Sequence, residues 1–283
     1  MLTQDLIIFL DGQMIKANCS FIESLSPGRI RAEGVFETMR VYQGKLFAFE
    51  SHLRRMKKGA KIFQITVPYS LKKIQGIIDQ LLKMNHLKEA RVRLAIFRDG
   101  RLVRISIVCQ PLLSFSTRTY KEGFRAIILK MKHPRTKYSH VKSMDYRFFR
   151  EALLAAERQG CQEALLLNDR NELLEGSRTN VFFVKNHVLY TPVVYCGCLN
   201  GITRQIVLKC AKKLGLSCKV VRTSFQQLRE ADEAFLTNSL IELMPLTVIE
   251  GLKIGRGTIG LVTSKILRAY REYIKKYCDE RIC

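Results

Sequence analysis

The segment Leu173-Leu-Glu-Gly-Ser-Arg-Thr-Asn-Val-Phe-Phe183 decides how this chain folds. Two apolar, strand-forming runs flank one glycine and several small polar residues, so the segment reads as strand, tight corner, strand. A single carboxylate, Glu175, stands where the first run ends. A strand-end carboxylate among apolar residues needs a partner, and either a buried arginine or a protonated ligand nitrogen would serve.

Strands and helices alternate outward from that corner. Upstream, Glu163–Leu167 reads as a strand, and Ser143 caps a helix ending at Gly160. Before them lie a strand, Phe124–Met131, and an irregular basic segment, His133–Lys142. Downstream come strands at Val188–Thr191 and Cys218–Arg222, a helix from Gly201 to Leu214-Gly215 and a capping box at Ser224-Phe-Gln-Gln227. Glu233–Thr237 reads as the last central strand. The first third carries strands at Ile7–Leu10, Gln13–Lys16, Val35–Tyr42, Lys45–Phe49, Ala90–Arg98 and Leu102–Gln110, the final pair turning at Asp99-Gly100. Amphipathic helices run from Glu50 or Ser51 to Ile62 and from Ser70 to Asn85. The hydroxyl-rich stretch Leu113–Gly123 breaks every period and reads as a linker. At 283 residues the chain exceeds one hydrophobic core. The expectation is an α/β or α+β chain of two domains, 1–115 and 123–283, joined by a linker at 116–122.

Composition narrows the function classes. No apolar run is long enough to span a bilayer, and the N-terminal apolar stretch ends at the Asp11-Gly12 turn, as a strand does. A cytoplasmic location and no membrane partner are expected. Nine cysteines without an export signal predict reduced thiols, and the one-residue spacer of Cys196-Gly-Cys198 suits no zinc site, so no metal is expected. The net charge of +23 would fit a nucleic-acid binder, but the basic residues are spread along the chain. Their densest runs, Arg54–Lys61 and the tail from Arg268, fall on amphipathic helices and read as solvated faces, so no specific nucleic-acid partner is expected. No Ser-His-Asp order, HExxH, phosphate-binding Walker loop or dinucleotide fingerprint is present.

A few polar residues carry the chemistry. Lys142 stands just before a helix, where it reads as a surface lysine or, if desolvated, as an imine-forming amine. Gly201-Ile202-Thr203-Arg204 opens a helix, whose N–H groups and dipole favour an anion. Thr237-Asn238-Ser239 makes a second polar corner after a strand, and Arg55 follows His52-Leu-Arg on a helix. An imine-forming lysine, a carboxylate for a protonated ring nitrogen and two phosphate corners are the parts that a pyridoxal 5'-phosphate site needs.

In their order and spacing, five motifs resemble the fold-type IV pyridoxal phosphate enzymes, also called class IV aminotransferases. These are His52-Leu-Arg-Arg55, Lys142-Ser-Met-Asp-Tyr146, Glu175-Gly-Ser-Arg-Thr-Asn-Val-Phe182, Gly201-Ile-Thr-Arg204 and Phe235-Leu-Thr-Asn-Ser239. The family includes branched-chain aminotransferases, D-amino acid aminotransferases and 4-amino-4-deoxychorismate lyases. The resemblance implies a D-amino acid aminotransferase-like fold with a smaller N-terminal α/β domain, a larger C-terminal domain, the cofactor between them, and a homodimer. It implies that Lys142 forms the Schiff base and shuttles the proton, that Glu175 faces the pyridine nitrogen and that Tyr146 bonds the phenolic oxygen. Arg55, Ile202 and Thr203 would hold the phosphate, with Asn238 and Ser239 adding donors. Phe36, Arg40, Arg98 and Leu240 are expected at the substrate.

Phe36 and Arg40 resemble the branched-chain enzymes, whereas D-amino acid aminotransferases tend to carry tyrosine in place of Phe36. The implied reaction moves an amino group from a small or branched-chain amino acid to 2-oxoglutarate. The short Phe97–Leu102 hairpin, the Thr237-Asn-Ser239 corner and the compact length look closer to the lyases. Release of pyruvate and 4-aminobenzoate from 4-amino-4-deoxychorismate is therefore the alternative. A basic protein that binds nucleic acid or acidic membranes without catalysis rests on charge alone, which supports only non-specific binding.

Overall fold

In a computed structural model, which describes residues 5–112, 114–130 and 140–280, the alternating first third forms one six-stranded sheet. Its strands are β1 (Leu6–Leu10), β2 (Gln13–Ala17), β3 (Gly34–Tyr42), β4 (Lys45–Leu46), β5 (Ala90–Asp99) and β6 (Leu102–Pro111). They pair antiparallel in the order β2-β1-β6-β5-β3-β4. Helix α1 (Cys19–Ser24) follows β2, while α2 (Phe49–Ile62) and α3 (Leu71–Met84) lie between β4 and β5. Helix α2 packs on β3, burying His52, Leu53, Met56 and Ala60, while Arg54, Lys57, Lys58 and Lys61 stay exposed. Cationic faces of this kind are what a solvated amphipathic helix presents. These elements, together with residues 141–148, make one compact unit.

The second unit comprises residues 114–140 and 149–279. It holds α4 (Thr117–Glu122), β7 (Phe124–Lys130), most of α5 (Arg147–Arg158), β8 (Glu163–Leu167), β9 (Leu173–Gly176), β10 (Asn180–Lys185) and β11 (Val188–Pro192). There follow α6 (Ile202–Lys213), β12 (Cys218–Val221), α7 (Phe225–Arg229), β13 (Glu233–Asn238), β14 (Glu242–Ile249), β15 (Leu252–Lys253) and α8 (Leu261–Asp279). The main path of the sheet runs β12-β11-β10-β13-β14-β7-β8-β9, with β15 on β14. Strands β9 and β10 are therefore far apart in pairing order, yet the corner at residues 176–179 joins them directly. The sheet curls back on itself, and its interior closes on Leu165, Leu173, Val181, Phe183, Leu236, Met244 and Leu246.

Several elements differ from their sequence reading. Residues 116–122, read as a linker, form α4, capped by the Ser116 hydroxyl, which accepts from Thr119 N–H. Ser143 caps no helix: it bridges Val35, and α5 starts at Arg147 because residues 142–144 are held in extended pairing beside β3. Glu233–Thr237 is followed by a further central strand, β14, which Pro245 hides in the sequence. Proline removes a ladder donor and argues against a central strand, but here the ladder shifts register between Leu246 and Val248. Strand β4 is shorter than expected because Ala48 adopts the left-handed region (φ 54°) and turns the chain into α2 at Phe49. Met131 and His133–Ser139 of the expected strand end and basic segment lie outside the described residues.

Gly34 shows how tightly the first unit is built around the start of β3. A Cβ there would lie 2.4 Å from the Ile96 carbonyl oxygen and 2.6 Å from the Phe97 Cα. Both are backbone atoms of the neighbouring strand and cannot step aside. Gly34→Ala is expected to lower unfolding free energy by at least about 2 kcal/mol, read as a lower urea midpoint with an unchanged slope.

Candidate active site

The lysine sits where backbone pairing leaves it little freedom. Phe36 N–H donates to the Lys142 carbonyl (3.0 Å), and Met144 N–H donates to the Gly34 carbonyl (2.9 Å). Gly28, at φ +78°, donates its N–H to the Met144 carbonyl and lies against the Tyr146 backbone with no room for a Cβ. Lys142 is thus pinned at the edge of β3, and its Nζ lies 4.4 Å from the Phe36 ring centroid and 5.8 Å from that of Tyr146. The two rings meet edge to face at 5.3 Å. Phe36, Ala95, Phe97 and Met144 form a buried apolar cluster against which Tyr146 packs. The sheet therefore brings Phe36, Lys142 and Tyr146 together.

The other face of β3 carries Glu37, because side chains alternate along a strand. Its carboxylate is buried, accepting from Arg55 Nε (2.8 Å) and Nη2 (2.6 Å) and lying 2.7 Å from His52 Nδ1. Burial pushes the Glu37 carboxyl up, but the Arg55 guanidinium and the His52 contact prevail and bring it from the usual 4.5 to about 2. Burial pushes His52 below its usual value against the pull of Glu37, so the ring is neutral near pH 7 and donates its Nδ1 proton to Glu37. Arg55 is held by two bonds to one carboxylate, the geometry that fixes a guanidinium fork in place.

Arg98 lies elsewhere. Its Nη2 donates to the Phe63 and Gln64 carbonyls (3.3 and 3.4 Å) beyond the end of α2. Phe97 points into the cluster beside Lys142, so Arg98, one residue on, points to the opposite face. Arg98, expected at the substrate, therefore lies on the face of β5 opposite the cluster beside Lys142. Arg40 does share the face of Phe36, and its guanidinium lies 4.3 Å from the Tyr42 ring. The sequence reading missed Arg93, which has the parity of Ala95 and Phe97. Arg93 is buried, donating to Ser26 Oγ (2.6 Å) and the Ile22 carbonyl (2.8 Å), while its Nε has no hydrogen-bond partner among the described residues. Burial, then the neighbouring Arg91, lowers it to about 10, and Glu23 opposes the shift. Period-two parity along β5 was the available signal.

In the second unit Glu175 ends β9 with its carboxylate buried. Its Oε2 accepts from Leu199 N–H (3.0 Å) and from Asn180 Nδ2 (3.4 Å), and the same amide donates to the Leu199 carbonyl (2.8 Å). Helix α6 starts alongside: its N-cap is Gly201, with no side-chain cap and no acid in the first turn. A Cβ on Gly201 would fall 2.0 Å from Asn180 Oδ1, so only glycine lets the helix start here. Arg204 is buried in that first turn. Its Nη2 donates to the Pro192 carbonyl (2.9 Å), and its Nε has no partner among the described residues. Burial lowers its pKa, while the charge of Glu175 is among the groups that oppose this. Burial and then Glu175 push the Cys198 thiol up to about 12, so it stays protonated beside the carboxylate.

Asn238 Oδ1 accepts from Leu240 and Ile241 N–H (2.8 and 2.9 Å), and its Nδ2 donates to the Arg178 carbonyl (3.2 Å). These bonds anchor the turn that carries Ser239 and Leu240. Thr237, directly opposite Asn180 in the ladder, shares the face of Asn180. Its buried hydroxyl has no hydrogen-bond partner among the described residues.

These residues fit pyridoxal phosphate. An uncapped helix start at Ile202 and Thr203, with an unpaired buried hydroxyl on the adjoining strand, suits a phosphate. A buried carboxylate suits a protonated pyridine nitrogen, and a lysine against two aromatic rings suits the aldehyde.

A family model for amino-transferase class IV matches residues 34–249. The chain is 30% identical to a putative branched-chain-amino-acid aminotransferase of Methanocaldococcus jannaschii, covering 95% of this chain and 97% of that one. It is also 30% identical to an aminodeoxychorismate lyase of Bacillus subtilis, covering 97% of each. The branched-chain amino acid aminotransferase of Escherichia coli superposes with a TM-score of 0.86 at 26% identity, over 96% of this chain and 95% of that one. The chain belongs to the class IV aminotransferases. It is an enzyme of that class, pyridoxal phosphate is its cofactor, and its substrates are amino and keto acids.

Removing the charge at position 37 tests how the first unit holds Arg55. Glu37→Gln leaves Arg55 and His52 facing an amide and is expected to lower stability at pH 7 by about 3 kcal/mol. Because the folded pKa is depressed, the wild-type advantage is present above 4.5 and is lost as pH falls towards about 2, measured by urea unfolding across that range.

Proposed function

We propose that the enzyme transfers the amino group of a branched-chain or other small L-amino acid to 2-oxoglutarate. The observation that carries this reading is the face of β5 and β3 beside Lys142. Phe36, Ala95, Phe97 and Met144 give it an apolar wall, and Arg93 stands two positions along β5 on the same side. Two residues along a strand is about 7 Å. An aliphatic side chain gains by lying on the apolar part. The distal carboxylate of a dicarboxylic acid would supply the anion that a buried guanidinium calls for.

Bound pyridoxal phosphate supplies an electron sink for negative charge at the substrate's α carbon. Lys142 Nζ takes the α proton and returns it. Glu175 would keep the proton on the ring nitrogen, and Tyr146 would donate to the phenolic oxygen. Ile202 and Thr203 at the α6 start would bind the phosphate, and Arg55 would add a guanidinium to it. Glu37 and His52 keep Arg55 oriented.

The relatives support both of the reactions weighed. A branched-chain aminotransferase of Thermoproteus uzoniensis, solved with norvaline, superposes with a TM-score of 0.82 at 27% identity, over 97% of this chain and 98% of that one. The lyase of Bacillus subtilis, as similar in sequence as the archaeal aminotransferase, keeps release of 4-aminobenzoate as a second reading.

Addition of L-leucine or L-glutamate to the loaded protein is expected to bleach its visible band, D-alanine to leave it, and Lys142→Ala to abolish turnover. A band untouched by all three donors, with 4-aminobenzoate formed from 4-amino-4-deoxychorismate, would establish the lyase instead. Arg93→Leu is expected to raise KM for 2-oxoglutarate by at least about tenfold, the worth of one charge-assisted contact. KM for L-leucine should stay within about twofold of wild type.

A further inference from the structure

One buried carboxylate takes no part in that reading. Glu163 opens β8 and is fully buried, and burial raises its pKa against the bonds it accepts. Its Oε1 accepts from Ala164 N–H (3.0 Å), from Ser177 N–H (2.9 Å) and from the Ser177 hydroxyl, and its Oε2 accepts from Thr179 Oγ1 (2.9 Å). These contacts fall on the corner that joins β9 to β10. The gripped residues, 177 and 179, lie between Glu175 and Asn180 in the chain. Gly176 completes the clamp, since a Cβ there would meet Thr179 Oγ1 at 2.2 Å and the Glu163 carboxyl carbon at 2.8 Å.

The clamp also reaches the next loop. Gly176 N–H donates to the Thr179 carbonyl (2.7 Å), and Ser177 N–H donates to the Ala164 carbonyl (2.8 Å). These bonds leave the Arg178 carbonyl to accept from Asn238 Nδ2 (3.2 Å), whose Oδ1 takes the Leu240 and Ile241 N–H groups. Hydrogen bonds on Ser177 and Thr179 and, one backbone step away, on the Arg178 carbonyl thus tie Glu163 through the corner to the turn that carries Ser239 and Leu240. An apolar residue at 163 would fill the space without the desolvation cost of a carboxyl, but it would grip neither hydroxyl.

We propose that Glu163 is a positioning residue: by clamping Ser177 and Thr179 it fixes where the Glu175 carboxylate meets the cofactor's ring nitrogen. The inference rests on the reading of Glu175 given above. A carboxylate that drifts from the ring nitrogen lets that nitrogen lose its proton, which then no longer repels the proton at Lys142 Nζ.

The test uses the full chain, loaded with pyridoxal phosphate, and the variants Glu163→Leu, Glu163→Gln, Ser177→Ala, Thr179→Val and Glu175→Gln. Visible absorption is titrated against pH, kcat and KM are measured with L-leucine, and melting is followed for each. Glu163→Leu is expected to lower kcat at least about tenfold and to move the spectral midpoint upward by about one unit, with KM within about twofold. Glu163→Gln, which keeps the Oε1 acceptor, should restore most of both. Ser177→Ala and Thr179→Val each remove one grip, should shift both quantities part of the way, and decide the matter if Glu163→Leu does not fold. A wild-type midpoint and kcat in the clamp variants, with only melting lowered, would overturn the proposal. If Glu175→Gln itself moves neither quantity, it is the assignment of Glu175 that fails.

Discussion

Burying a carboxylate is costly unless donors meet it, and this constraint organises the protein around its reactive residues. Among the described residues four glutamates are buried: Glu37, Glu163, Glu175 and Glu242. Each is met by a different set of donors. Glu37 takes a guanidinium fork and an imidazole, Glu163 takes hydroxyls and amides, and Glu242 takes Arg271. Glu175 takes a backbone amide and an asparagine, a weaker set than a fork. In the proposed reading it is the carboxylate that meets the cofactor's ring nitrogen.

The same economy explains the aromatic setting of Lys142. An ammonium over the face of an aromatic ring keeps part of the stabilisation that water would give it, while the apolar cluster beneath keeps the group from sampling many rotamers. Backbone pairing with β3 fixes the chain on both sides of the residue. The Lys142 amine is therefore positioned by main-chain bonds on both sides of the residue.

The large positive charge has a different distribution. Exposed cations line the outer faces of α2 and α8, away from the buried stripes that pack on the sheets. Two arginines, Arg93 and Arg204, are buried instead, and desolvation lowers the pKa of both. Net charge and local charge thus carry separate information in this protein.

Local pattern was enough for much of the architecture: the Asp99-Gly100 hairpin, the helix start at Gly201, the Ser224 capping box and the corner at Glu175 depend on residues close in sequence. Motif order singled out Lys142, Tyr146 and Phe36, and the fold gathers these three against one apolar wall. The missed strand β14 and the late start of α5 had another origin. Pro245 and Ser143 follow local preferences that long-range pairing overrides. Arg93 and Arg98 look alike in sequence, and only the direction of β5 sends one to Ser26 and the Ile22 carbonyl and the other to the end of α2. Thr237 shares a face with Asn180 for the same reason, since a strand shows its faces only once its partners are known. The sequence by itself determined which residue types stand at the corners. Tertiary structure decided which buried charges meet which donors, because such contacts join residues far apart in the chain and form only when the sheets close.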